Sequence, residues 1–131
     1  MLDYCFAICD HIRCSVTPVW IYASGMADSC GFLILICGDR RIAYENAQIM
    51  YHQLSWGGGY GKVRSIDETN EQVKKDQEKL DRIVLTNTKI TEEKLEFVNE
   101  RKQDWYMTPQ EAKKLGVIDE IIECPIKKKK K

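Results

Sequence analysis

Residues 19–38, VWIYASGMADSCGFLILICG, hold two apolar segments separated by small and polar residues. Val19 to Ala23 has the length and composition of a buried strand. Cys30 to Cys37 is apolar on every side, which is typical of a helix in the core of a domain. The residues between them predict a tight turn from strand to helix, with Ser29 directly before the helix.

The segments around this stretch also alternate between helices and strands. Apolar residues at helical spacing predict an amphipathic helix over residues 1–14. Two short strands are expected at 42–44 and 48–52, and a long charged helix from about 65 to 88. The long helix has a narrow apolar stripe, made of Ile66, Val73, Leu80 and Val84. This alternation indicates the α/β class.

The last third of the chain contains two helix starts. Thr91-Glu92-Glu93 begins a helix with an acidic first turn. Thr108-Pro109-Gln110-Glu111 has the form of a capping box with proline at the first helical position. Gly116 ends this helix, and residues 117–122, VIDEII, predict a final strand. We expect one domain over 1–126, followed by a disordered lysine tail at 127–131.

The charge balance and hydropathy limit the classes of partner. The chain has 20 basic and 20 acidic residues, so it carries no overall nucleic-acid signature. No segment reaches the roughly 18 to 20 apolar residues that a membrane span needs. No secretory signal is recognisable at the N-terminus. The sequence therefore predicts a cytoplasmic protein with neither nucleic acid nor membrane as a partner.

The six cysteines allow two interpretations. Cys5, Cys9, His11 and Cys14 are residue types that bind zinc. However, His11 lies on another face of the predicted helix, and no paired C-x-x-C motif is present. Most cysteines also lie inside apolar segments, where a reduced thiol packs as a small hydrophobic group. We therefore favour packed thiols over zinc and expect no metal or other cofactor.

Ser29 and His52 are candidates for acyl-transfer chemistry. A serine between strand and helix is exposed and lies close to amide donors for an oxyanion. Serine is also a common helix N-cap, and that structural role is favoured for Ser29 taken alone. His52 ends a predicted strand just before a glycine-rich segment, whereas His11 lies on the polar side of the first helix. A lone histidine is more often structural, and acidic residues are too many for the local pattern to select a third partner.

Three blocks of the chain, taken together, resemble the proteolytic subunit of the Clp protease, a self-compartmentalised serine peptidase. GMADSCGFLILICG at 25–38 matches the family pattern G-x-A-x-S-x-G before an apolar helix. IMYHQ at 49–53 matches the I/V-M-I-H-Q strand end. DWYMTPQEAKKLGVIDEII at 104–122 matches the D-R-F-x-[ST] block near the C-terminus of the family. The resemblance extends over about residues 1–122.

The resemblance implies a ClpP/crotonase-like fold of stacked ββα units with a protruding handle helix. It places the nucleophile at Ser29, the base at His52 and the orienting acid at Asp104, with Asn99 and Glu100 as alternatives in another register. The Cys30 backbone N–H matches one donor of the oxyanion hole. Four glycines match the substrate cleft and the handle, namely Gly57, Gly58, Gly59 and Gly61. The implied partners are unfolded polypeptides, a Clp-family AAA+ ATPase, and like subunits in a homo- or hetero-oligomeric ring.

The chain departs from the family pattern in three ways. We expect the N-terminal strands and the S-P-G-G turn, which supplies the second oxyanion amide, to have no counterpart here. Asp28 replaces a small apolar residue directly before the nucleophile, and Leu54 replaces the proline of H-Q-P. The first departure and Asp28 motivate an alternative function as a non-catalytic scaffold or regulatory subunit of a Clp ring. A crotonase-fold enzyme acting on acyl-CoA thioesters is a third and less favoured hypothesis.

Overall fold

The fold is described by a computed structural model that covers residues 2–54 and 63–125, with side chains from residue 70 onward in the second range. The helices, in chain order, are α1 Leu2–Arg13, α2 Cys30–Ile36, α3 Val63–Asn87, α4 Glu92–Arg101 and α5 Pro109–Lys114. The strands are β1 Trp20–Ala23, β2 Met26–Asp28, β3 Arg40–Tyr44, β4 Gln48–Tyr51, β5 Trp105–Met107 and β6 Glu120–Ile122. The predicted α/β class is confirmed.

The strands form two three-stranded sheets. The first has the order β1-β3-β6 and is parallel throughout, with Trp20 opposite Arg40 and Ile42 opposite Glu120. The second has the order β2-β4-β5, in which β2 and β4 are parallel and β5 is antiparallel to β4. The chain passes from the first sheet to the second at 24–25 and again at 45–47. Two ββα units result, β1-β2-α2 and β3-β4-α3, as the Clp-like fold predicts.

The prediction of a simple turn over 24–29 is wrong in one respect. Met26–Asp28 forms strand β2, which pairs with Gln48 to Met50 of β4. Gly25, at φ 83°, provides the left-handed residue that turns the chain out of the first sheet. The three strand residues were not recognised because such a short segment has no readable period, and its conformation is imposed by the pairing with β4.

Helix α2 forms the centre of the core. Phe32, Leu33, Leu35 and Ile36 are buried, and the helix contacts α1, α3 and strands of both sheets. This contact on several sides explains why α2 is apolar all round. Cys5 and Cys9, on α1, are buried against α2, as the amphipathic pattern predicted.

Among the described side chains of the long helix α3, the buried ones lie in its C-terminal half. Among its described side chains none is buried before Leu80, which is followed by the buried Ile83 and Val84. The described side chains of α3 before Leu80 thus lie at the surface or at the edge of the core, as expected where a handle helix leaves it. The predicted cleft and handle residues Gly57, Gly58, Gly59 and Gly61 lie outside the described residues, and so does the lysine tail at 127–131.

Candidate active site

Ser29 lies at the junction of β2 and α2 in a strained backbone conformation. Its φ is 58° and its ψ is −117°. A non-glycine residue in a rarely populated region costs of order 1–3 kcal/mol and persists only where its surroundings impose it. Here the Ser29 N–H donates to the Met50 carbonyl at 3.0 Å, and the Ser29 carbonyl accepts from the Leu33 N–H at 3.3 Å. The sheet and the helix together hold the serine in this turn.

The Ser29 hydroxyl bonds to His52 and not to the helix that it precedes. An N-cap serine accepts a hydrogen bond from an N–H of the first turn, but Ser29 makes no side-chain cap. Its Oγ lies 2.8 Å from Nε2 of His52. The pairing of β2 with β4 explains this approach, because Asp28 lies opposite Met50 in parallel strands. The residues that follow the two strands therefore emerge at the same edge of the sheet.

The other imidazole nitrogen of His52 contacts a backbone carbonyl. Nδ1 lies 2.6 Å from the Gln53 oxygen. Because a carbonyl accepts and cannot donate, this hydrogen bond requires the proton on Nδ1. Nε2 is then unprotonated in the neutral ring and accepts from the Ser29 hydroxyl. This is the tautomer that a general base needs in order to activate a serine.

Asp104 lies opposite His52 in register without a hydrogen bond to it. Strands β4 and β5 are antiparallel, and Tyr51 pairs with Trp105. One more step along this register places His52 opposite Asp104, and residues directly opposite one another share a face of the sheet. The Asp104 side chain is exposed, and Nδ1 of His52 bonds to Gln53. The structure thus brings Ser29 and His52 together, while the role of Asp104 stays a prediction.

The first turn of α2 presents amide donors beside Ser29. Cys30 is the first helical residue, and its N–H has no hydrogen-bond partner in the part of the chain that the structure describes. A Cβ added at Gly31 would meet nothing within 4 Å, so the space over the helix start is open. The Cys30 thiol is half-buried, and burial raises its pKa, which keeps it protonated. The thiol is therefore a weak competitor of the adjacent serine.

Asp28, which precedes the serine, is paired on one of its two oxygens. Oδ2 accepts from the Gln48 side-chain amide at 2.7 Å. Oδ1 is buried and has no hydrogen-bond partner among the described residues. The amide of Gln48 thus compensates part of the negative charge that the Asp28 carboxylate brings to the position directly before Ser29.

A cavity of about 360 Å³ opens at the Ser29–His52 pair. Its wall is largely apolar, and its lining comprises Leu2, Ser29, Cys30, Leu33, Tyr51, His52, Leu54 and Leu80. The lining residues come from three helices, from strand β4 and from the segment after β4. An apolar recess beside a serine–histidine pair offers room for one side chain of a bound peptide.

A polar network behind His52 was not predicted from the sequence. The Tyr51 hydroxyl donates to Oδ1 of Asn99 at 2.7 Å and lies 3.3 Å from Oδ1 of Asp81. Burial and the Asp81 carboxylate raise the pKa of Tyr51, so the hydroxyl keeps its proton. Gln77 donates to Asp81 at 2.7 Å and accepts from the Leu54 N–H at 2.8 Å. The network connects α3 and α4 to the segment that carries His52.

The four residues of the zinc alternative do not converge. Cys5 and Cys9 are buried against α2, whereas His11 and Cys14 are exposed. Within residues 2–54 and 63–125, no group of three histidine, cysteine or acidic side chains is arranged to hold a metal ion. The thiols of α1 therefore belong to the core.

The same described ranges contain no helix with the length and hydropathy needed to cross a bilayer.

Known proteins resemble the chain over nearly all of its length. The family model for Clp protease matches residues 1–125. An ATP-dependent Clp protease proteolytic subunit from Bdellovibrio bacteriovorus is 37% identical over 127 residues, covering 94% of the chain and 59% of that protein. A protein of the same description from Deinococcus radiodurans is 35% identical over 119 residues, covering 89% of the chain and 57% of that protein.

The α/β architecture thus brings a serine and a histidine together just after the ends of two adjacent parallel strands. The chain belongs to the Clp protease family. The chain spans 57% and 59% of the lengths of these two curated relatives.

Proposed function

We propose that the chain is a serine-type endopeptidase subunit that hydrolyses peptide bonds through an acyl-enzyme. The observation that carries the proposal is the 2.8 Å contact between Ser29 Oγ and His52 Nε2. A structural serine at this position would satisfy an N–H of α2, and Ser29 does not. The names of the two relatives, which describe proteolytic subunits, support the same conclusion.

In the proposed reaction, His52 Nε2 removes the hydroxyl proton as Ser29 Oγ attacks the carbonyl carbon of a peptide bond. The oxyanion forms within reach of the Cys30 N–H, which is one preorganised donor. His52 then gives its proton to the leaving amine, and the C–N bond breaks. In the second half of the cycle, His52 deprotonates water as it attacks the acyl-enzyme, and then returns this proton to Ser29 Oγ as the ester C–O bond breaks.

Asp104 is the proposed acid of the triad. The β4–β5 register supports this assignment, because Tyr51, directly before His52, pairs with Trp105, directly after Asp104. A carboxylate at Nδ1 stabilises the imidazolium of the transition state better than a neutral carbonyl does, because its opposite charge favours the charged form of the ring. We infer that Asp104 approaches Nδ1 of His52 during turnover while the Gln53 carbonyl keeps its contact.

Membership in the Clp family suggests the setting in which the site acts. We propose that the subunit assembles with like subunits into a ring, receives unfolded polypeptides, and works with a Clp-family AAA+ ATPase. The apolar recess beside Ser29 suits side chains that are exposed only in unfolded substrates.

A fluorophosphonate probe tests the proposal, because it reacts only with an activated serine. We expect labelling of the folded wild-type chain and loss of labelling in Ser29→Ala. Ser24→Ala is a matched control, since Ser24 is exposed and lies five positions before the nucleophile in the same segment. Folded protein that fails to react, or equal labelling of Ser29→Ala, would overturn the proposal. Peptidase activity that survives Ser29→Ala would point to another reaction centre.

A further inference from the structure

Gln77, on the handle helix α3, holds the peptide group that orients His52. The peptide bond between Gln53 and Leu54 carries two hydrogen bonds on opposite sides. Its N–H, from Leu54, donates to Oε1 of Gln77 at 2.8 Å. Its carbonyl, from Gln53, lies 2.6 Å from Nδ1 of His52. In a trans peptide the N–H and C=O point in opposite directions, so anchoring the N–H on α3 aims the oxygen away from α3.

Gln77 is itself held by a second partner. Its Nε2 donates to Oδ1 of Asp81 at 2.7 Å, one helical turn further along α3. This bond fixes the orientation of the amide, because the nitrogen must face the carboxylate and the oxygen then faces Leu54. Asp81 also accepts from Nδ2 of Asn99 at 3.3 Å, so α4 restrains it as well. The Gln77 amide therefore cannot rotate without losing several hydrogen bonds.

The residue on the other side of His52 is tied to the same network. Tyr51 is buried, its ring packs edge-to-face on Phe32 with centroids 5.6 Å apart, and its hydroxyl bonds to Asn99. The backbone is thus anchored directly before His52, by Tyr51, and directly after Gln53, by Gln77. Only the His52–Gln53 segment lies between the two anchors, which leaves the imidazole little freedom.

We infer that Gln77 is a positioning residue for the Ser29–His52 pair, an inference that rests on the proposed function. The chain of contacts runs from Asp81 through Gln77 and the Gln53–Leu54 peptide to His52. Donation by the peptide N–H also strengthens its carbonyl as an acceptor, because hydrogen bonds in a chain polarise one another. Gln77 thereby favours the Nδ1–H tautomer of His52 and leaves Nε2 unprotonated to accept from Ser29.

The tautomer can be read directly by long-range ¹H–¹⁵N correlation spectra of the histidines. The wild-type chain should show His52 in the Nδ1–H form, with the exposed His11 as an internal reference. In Gln77→Leu we expect a mixture of the two tautomers. We also expect kcat to fall about tenfold with KM unchanged, as for the loss of one hydrogen bond of about 1.4 kcal/mol. Gln77 does not line the cavity, which is why KM should not move.

Two further variants separate positioning from stability. Gln72→Leu makes the same substitution on an exposed position of α3 and should change neither the tautomer nor kcat. The double variant Gln77→Glu with Asp81→Asn exchanges acceptor and donor between the two side chains. This double variant keeps an acceptor for the Leu54 N–H and should show the wild-type tautomer of His52. It therefore tests the inference even where Gln77→Leu does not fold.

An unchanged His52 tautomer and an unchanged kcat in Gln77→Leu would overturn the inference. An equal change in Gln72→Leu would overturn it too, and so would failure of the folded double variant to restore the tautomer. The spectra do not require turnover. A wild-type chain without peptidase activity would therefore count against the proposed function, while the dependence of the tautomer on Gln77 would still decide the positioning role.

Discussion

The starts of α2 and α5 carry similar hydroxyl side chains that form different bonds. Thr108, before α5, has an extended backbone with φ −68°, and its Oγ1 accepts from the Glu111 N–H at 3.2 Å. The Glu111 carboxylate returns the contact by accepting from the Thr108 N–H at 2.8 Å. Ser29, before α2, has φ 58° and no cap, and its hydroxyl bonds to His52. One hydroxyl stabilises its own helix, and the other is directed at a distant residue.

This difference lowers the stability of the start of α2 relative to that of α5. A hydroxyl cap contributes about 1 kcal/mol, and a residue held in a rarely populated conformation costs of order 1–3 kcal/mol. The start of α2 therefore lacks the stabilisation of a hydroxyl cap and bears the cost of a strained residue. The start of α5 has the cap and no such strain. Burial of α2 on several sides offsets this cost, because its apolar side chains contact α1, α3 and both sheets.

The largest expected effect is on activity, at Ser29. Ser29→Ala removes the nucleophile, and kcat for peptide hydrolysis should fall by about 10⁶. The same change should leave the free energy of unfolding nearly unaltered, because no cap is lost. Peptidase assays and urea unfolding of one preparation would test both statements. A variant that unfolds much more easily would mean that Ser29 is structural, as Thr108 is.

The second effect concerns the acid that acts on His52. Asp104→Asn should lower kcat by about 10⁴ if Asp104 orients the imidazole during turnover. Glu100→Gln is the matched control, since Glu100 is also exposed and lies four positions earlier. Steady-state kinetics of the two variants decide between them. A large loss in Glu100→Gln with little change in Asp104→Asn would assign the acid to Glu100.

A third prediction compares the stability of the two helix starts. Thr108→Ala should lower the free energy of unfolding by about 1 kcal/mol, because the Glu111 N–H loses its acceptor. Ser29→Gly should raise it by about 1 kcal/mol, because glycine adopts a positive φ without strain. Urea denaturation of both variants measures the two changes. Equal losses at both positions would contradict the distinction drawn between the helix starts.

The smallest effect is a pH dependence that only the α5 start should show. Hydrogen bonds from Thr108 lower the pKa of Glu111. Because the folded pKa lies below the unfolded one, this stabilisation is complete above the unfolded value of about 4.3. It is lost as the pH falls through the folded pKa. The stability advantage of wild type over Glu111→Gln should therefore shrink below about pH 4, as followed by thermal unfolding. An advantage that persists at pH 2 would exclude this mechanism.

Most of the helices could be predicted because their signals are local. The capping box at Thr108, the acidic turn after Thr91 and the apolar run of α2 each lie within a few residues. The strand β2 was missed because its three residues have no pattern of their own, and β5 was missed for the same reason. The polar Gln77 left a weak signal, since it lies on the apolar stripe of α3 between Val73 and Leu80. A polar residue on a core-facing stripe needs a buried partner.

Ser29 and His52 were identified by resemblance, whereas their contact depends on long-range pairing. Local sequence was sufficient for the approximate helix boundaries and for the apolar core helix. Only the assembled fold decided that the Ser29 hydroxyl bonds to His52, that the Gln53 carbonyl contacts the imidazole, and that Gln77 accepts from the Leu54 N–H of the same peptide group. The physical reason is that capping and periodicity act within one or two turns of helix. The site, in contrast, is formed by contacts between residues 23 positions apart, which meet because β2 pairs with β4 and α3 packs beside α2.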